Sequence, residues 1–110
     1  MNQLDKALLA ENQAILNQFA DQGSDLSQAR VIDFEHVFQD KTAADRFCDL
    51  AEAEGYKATL YERDDGNWDA QASTRIIPTA DAITLCEMEL STLARQHDGY
   101  ADGWGFYRTQ

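Results

Sequence analysis

The sequence predicts an α+β sandwich, a four-stranded antiparallel sheet with helices packed against it. Three observations predict it. Apolar and polar residues alternate over 30–39 and 68–77, the period of half-buried strands. Apolar stripes recur at helical spacing over 4–22, 42–54 and 80–97. These segments interleave with turn signals in the order α-β-α-β-β-α-β.

Each element has a local reason. In the first helix Leu4, Leu8, Ile15 and Phe19 form the stripe, Ala7 and Leu16 widen it, and Gly23 ends it. The first strand directs Ile32, Phe34, His36 and Phe38 to one side and Val31, Asp33, Glu35 and Val37 to the other. Asp40 or Thr42 caps the second helix, whose apolar side is Ala44, Phe47, Cys48, Leu50 and Ala51, and Gly55 closes it. A second strand over 56–63 leads into Asp64-Asp65-Gly66-Asn67, a hairpin turn signal. The third strand puts Trp68, Ala70, Ala72, Thr74 and Ile76 on one face and stops at Pro78. Thr79 caps the third helix, with the stripe Ile83, Cys86, Leu90, Leu93 and His97. A loop rich in Asp and Gly then precedes a short last strand, expected over 104–109. The last six elements are the split β-α-β arrangement of a ferredoxin-like sandwich. Right-handed crossovers place the second and third helices on one sheet face. The first helix is an addition that either joins the helical layer or covers the opposite face. The whole of 1–110 reads as one domain, with the helix of 1–23 preceding a core over 30–110.

Composition narrows the function. Of 110 residues, 20 are acidic and 9 basic, for a net charge of −11. The pI is near 4.3. Such a chain lacks the basic patches that phosphate backbones and anionic membranes require. No apolar run approaches membrane-spanning length, and residues 1–10 lack a basic start followed by an apolar block. Two cysteines without close spacing fit a reducing compartment, so a cytoplasmic location is expected.

Catalytic and metal signals are weak. His36 lies on the apolar side of its strand and reads as a core residue; His97 closes a helix, where it complements the dipole. No nucleophile elbow, phosphate loop, C-x-x-C or H-E-x-x-H occurs. Residues 64–69 lack the ligand spacing of a calcium loop. Cys48 and Cys86 fall on apolar stripes and read as packed thiols. No catalytic residue, cofactor or metal is expected, and the chain is not read as an enzyme. The sheet face away from the helices carries Val31, Asp33, Glu35, Val37, Lys57, Thr59, Tyr61, Arg63, Asp69, Gln71, Ser73 and Arg75. With one aromatic, Tyr61, it reads as a mixed polar surface with cross-strand charge pairs, not as an RNA platform.

The segment Tyr100-Ala101-Asp102-Gly103-Trp104-Gly105-Phe106-Tyr107 sets aromatics around two glycines. Gly103 and Gly105 suggest close backbone approach, with Trp104 and Phe106 sharing a face. This Tyr-x-Asp-Gly-Trp-Gly-x-Tyr pattern resembles the regulator of ribonuclease E activity B (RraB) family. So do Gly23-Ser24-Asp25 and Arg75-Ile76-Ile77-Pro78-Thr79. The long acidic stretches of the family pattern are short or absent here. The resemblance implies a ferredoxin-like cytoplasmic protein that binds ribonuclease E, through that enzyme's arginine-rich scaffold region, and lowers its activity without chemistry of its own.

The expected function is therefore a protein-binding regulator that inhibits or modulates a ribonuclease. The expected partner is ribonuclease E or another protein with a basic segment. The docking residues expected are Asp45, Asp49, Glu52 and Glu54 on the second helix. The family element is Tyr100, Asp102, Gly103, Trp104, Gly105 and Tyr107, with a structural role expected for Trp104, Asp102 and Tyr107. The alternative is a small-molecule-binding or sensor domain, for which Trp68, Trp104 and Tyr61 are the wall candidates.

Overall fold

A computed structural model describes residues 3–106. Its elements are α1 (Lys6–Asp21), β1 (Arg30–Phe38), α2 (Lys41–Ala53), β2 (Lys57–Glu62), β3 (Trp68–Ile76), α3 (Ala80–Arg95) and β4 (Tyr100–Phe106). The sheet is antiparallel throughout, in the order β2-β3-β1-β4. That is the order of the ferredoxin-like sandwich, with the two longest strands, β1 and β3, at its centre.

The caps follow the chemistry of short polar side chains. The Asp5 carboxylate accepts from the amides of Ala7 and Leu8 at the start of α1. Asp40, not Thr42, caps α2, and Thr79 Oγ1 accepts from Ala82 N at 3.1 Å to open α3. The hairpin between β2 and β3 closes through Arg63 N donating to Asn67 O, with Gly66 at positive φ.

One face of the sheet carries the core. Ile32, Phe34 and Phe38 of β1 and Ala70 and Ala72 of β3 meet Phe47 and Ala51 of α2 and Ile83, Leu90 and Ala94 of α3, all buried. α2 lies over β2 and β3, where the alanines of β3 leave room for it, while α3 lies over β1 and β4. His36 is buried there too, its ring 4.6 Å from that of Phe47.

The position of α1, open from sequence, is settled: it packs beside α3 and joins the helical layer. Two contacts fix it there. Phe19 stacks edge-on against Phe106, centroids 4.6 Å apart, with Trp104 at 6.2 Å. Asn12, 1% exposed, donates through Nδ2 to Thr84 Oγ1 at 2.9 Å and Glu87 Oε1 at 2.7 Å, and its Oδ1 accepts from Trp104 Nε1 at 2.9 Å. A single buried amide thus joins α1, α3 and β4. The opposite sheet face has no helix over it among the described residues.

Three expectations are corrected. β4 begins at Tyr100, four residues before the expected start, because backbone pairing with β1 needs no apolar side chains. A bulge opposite Glu35 absorbs one extra residue, and Gly103, at φ +106°, supplies the positive φ. Neither Gly103 nor Gly105 is a point of close approach, since a Cβ on either meets nothing within 4 Å. Gly99 is: a Cβ there would run into the Phe38 ring. Finally, α3 ends at Arg95 with Gln96 as its cap, so His97 lies in the turn beyond it.

Candidate functional site

α2 presents its acids in two places. Asp45, Asp49 and Glu52 stand at i, i+4 and i+7 and so share one flank of the helix. Asp45 is engaged by Lys41, Nζ to Oδ2 3.0 Å, and that ammonium lies 5.6 Å from the centroid of Trp68. Asp49 and Glu52 are exposed. Glu54, the residue that caps α2, falls off this flank. It lies instead on an open groove of about 720 Å³ with Leu85, Met88 and Glu89 of α3. The four expected docking residues therefore form a stripe of three and a separate groove residue.

The open sheet face is more ordered than its sequence suggested. Strand register builds rows across it. One row runs Tyr61–Asp69–Val37–Tyr100 from β2 to β4. The next is Thr59–Gln71–Glu35, and the bulge brings Asp102 beside Glu35. A third is Lys57–Ser73–Asp33–Gly105. Val37 is 2% exposed within its row, while Tyr61 and Tyr100 are 50% and 58% exposed at the ends.

This face is acidic toward β1 and β4. Gln71 Nε2 donates to Glu35 Oε2 at 2.7 Å, Ser73 Oγ to Asp33 Oδ1 at 2.6 Å, and Arg63 Nη1 to Asp69 Oδ1 at 3.3 Å. Burial raises the Glu35 carboxyl above its ordinary range, and the charges of Asp33, Asp69 and Asp102 raise it further against the Gln71 bond. Of the basic residues of the face, Lys57 enters the Asp33 row from the edge strand, Arg75 stands one row beyond it opposite Val31, and Arg63 turns to Asp69.

The C-terminal element divides along the same plane. Trp104 and Phe106 pair with Phe34 and Ile32 and point into the helical side. Tyr100 and Asp102 belong to the open face, and Gly103 makes the bulge that sets Asp102 there. Tyr107 lies outside the described residues. Sequence reasoning missed Tyr100 as a second aromatic of the open face, because residues 100–103 read as loop. It also missed Asn12, although that amide sits at helical spacing between Leu8 and Leu16, a polar residue inside an apolar stripe.

The buried titratable groups show no activated nucleophile. Cys48 and Cys86 are free thiols; burial pushes Cys48 up to about 11 and raises Cys86. Burial lowers His36 to about 4, leaving a neutral imidazole whose Nδ1 has no hydrogen-bond partner. Burial also raises the Tyr56 hydroxyl, which donates to Glu89 Oε1 at 2.8 Å. Among the described residues no cluster of His, Cys, Asp or Glu has the geometry to hold a metal ion. The aromatic wall candidates do not converge: Trp68 faces the helices near Lys41, Tyr61 lies on the open face, and Trp104 is on the far strand. No described helix is long and apolar enough to cross a membrane.

The candidate site is thus an acidic surface on a sandwich that helices cover on one face only among the described residues. No curated protein matches the sequence. Over residues 9–106 it does match the family model described as regulator of ribonuclease activity B. That match spans α3, β4 and most of α1, the elements tied together by Asn12 and Trp104, and the chain belongs to that family of regulators of ribonuclease activity.

Proposed function

We propose that this protein inhibits or modulates ribonuclease E by binding it through a basic segment, without catalytic chemistry of its own. The family match over 9–106 carries the proposal. The charge of −11 supports it: an enzyme that handles RNA must present cations to phosphates, and a strongly acidic protein complements them. The stripe of Asp45, Asp49 and Glu52, with Glu54 at the groove, serves in this reading to attract the partner, since exposed charges act mainly on the rate of encounter. Both molecules meet in the cytoplasm.

The test is binding of the purified protein to the scaffold region of ribonuclease E, at low and moderate salt, with RNA cleavage followed in parallel. Capture at low salt that weakens as salt rises, together with slower cleavage, is the expected result. Absence of capture at low salt would overturn the proposal. Charge reversal at Asp49 and Glu52 should slow association severalfold, and an unchanged rate would remove α2 from the docking path.

A further inference from the structure

We infer that the open sheet face, around the row Tyr61–Asp69–Val37–Tyr100, is the seat for an extended arginine-bearing segment of the partner protein. This rests on the regulatory reading above and goes beyond it in naming the surface and the side chain it reads.

A four-stranded sheet with one covered face leaves the other for solvent or a partner, and a solvated face ordinarily balances its charges across strands. Here Asp33, Glu35, Asp69 and Asp102 stand together, while Lys57 is two strands away from Asp33 on the edge strand and Arg75 lies one row beyond, opposite Val31. Arg63 answers Asp69 and also lies 3.7 Å from Asp65, so one guanidinium serves two carboxylates. Glu35 is held in mutual repulsion with three acids, with a neutral amide, Gln71, as its hydrogen-bond donor. An arriving cation relieves that repulsion.

The flanking residues select the cation. Tyr61 and Tyr100 are two of the four exposed large apolar side chains among the described residues, and they end the same row. A guanidinium stacks its plane on such rings and bonds a carboxylate through two nitrogens at once, whereas an ammonium meets ring and carboxylate alike as a point charge. The row crosses four strands, roughly 14 Å at the usual strand spacing, the reach of about four extended residues. Alternate side chains of such a segment point down, placing two arginines against the acids between the tyrosines.

The test measures association and dissociation separately. The ligands are a synthetic peptide of alternating arginine and serine, its lysine counterpart and the ribonuclease E scaffold region. The double variant Glu35→Gln, Asp102→Asn is compared with Glu11→Gln, Asp21→Asn, which removes the same charge from α1. Glutamine still accepts from Gln71, and thermal melting reports that each variant is folded. The expected result is at least tenfold weaker binding by the sheet variant, chiefly through faster dissociation, less than threefold for the α1 variant, and arginine preferred over lysine. Tyr100→Ala should remove most of that preference. Equal losses in both double variants would reduce the effect to net charge and overturn the inference. Wild-type affinity in the sheet variant would also overturn it while leaving the regulatory reading intact. If the wild type bound no scaffold, both would fall.

Discussion

The two faces of one sheet are built to different rules, and β1 shows both within nine residues. Its inward residues Ile32, Phe34, His36 and Phe38 are all buried, and even the histidine is held neutral rather than paired. Its outward residues Asp33 and Glu35 accept hydrogen bonds from Ser73 and Gln71. β4 repeats the division, with Trp104 anchored inward by Asn12 and Asp102 outward beside Glu35. The lesson is that the inner face determines whether the molecule folds, while the exposed positions of the outer one, unlike the buried Val37, accept substitutions at small cost and so are free to carry recognition. The sharpest way to break this comparison is to find an outward substitution that costs as much stability as an inward one.

The largest effect is expected at Trp104. Its replacement by alanine removes the ring contacts to Phe19 and Phe106 and strands the Asn12 carbonyl oxygen. Trp104 is partly exposed, so the cost should fall at the lower end for a large core aromatic, about 3 kcal/mol. Urea unfolding measures it. Tyr100→Ala, four residues away on the other face, should change stability by less than about 0.5 kcal/mol. Similar costs for the two would erase the division of β4.

His36 gives a pH-dependent form of the same contrast. Its imidazole falls to about 4 in the fold from an ordinary 6.5. The unfolded chain therefore takes up a proton first, and stability present above about pH 6.5 is lost as pH falls toward 4. The loss should be of order 2–3 kcal/mol. Because burial raises the Glu35 and Glu87 carboxyls, which contribute in the opposite sense, the measurement is the difference between wild type and His36→Leu across pH 7 to 4.5. A difference that stays constant with pH would show that His36 is not the group responsible.

A smaller effect belongs to Asn12. Alanine there leaves the Trp104 indole N–H without its acceptor, and Thr84 and Glu87 without their donor, at a cost of about 2 kcal/mol. This residue also shows where the sequence stopped being legible. Helices and central strands were readable because their burial follows simple periods; the last strand was not, because Tyr100-Ala101-Asp102-Gly103 pairs through its backbone and a bulge. The seat of α1 was hidden because a wide apolar stripe does not say which surface it covers. Asn12 within that stripe was the clue, since a buried amide needs partners. The acids of α2 were legible as a stripe for Asp45, Asp49 and Glu52; Glu54, beyond the helical period, was not. The gathering of Asp33, Glu35, Asp69 and Asp102 on the open face depended on strand register, which no single segment encodes.

The smallest effect, of opposite sign, is expected from Glu35→Gln. The Glu35 carboxyl is raised above its ordinary 4.5 by burial and then by its acidic neighbours, so the fold favours the neutral form. Its favourable contribution is complete below about pH 4.5 and is lost as pH rises through the folded value. A glutamine keeps that neutral state at every pH. It should stabilise the protein at pH 7 by a few tenths of a kcal/mol, after allowance for solvent screening. The gain should vanish below about pH 4.5, where both side chains are uncharged. Thermal melts at pH 7 and 4 separate these outcomes. A variant that is stabler yet binds a basic partner less well would show that the outer face gives up stability to hold charge, whereas no inner residue does so without weakening the fold. A glutamine variant less stable than wild type at pH 7 would mean instead that Glu35 is a packing residue like those on the other side.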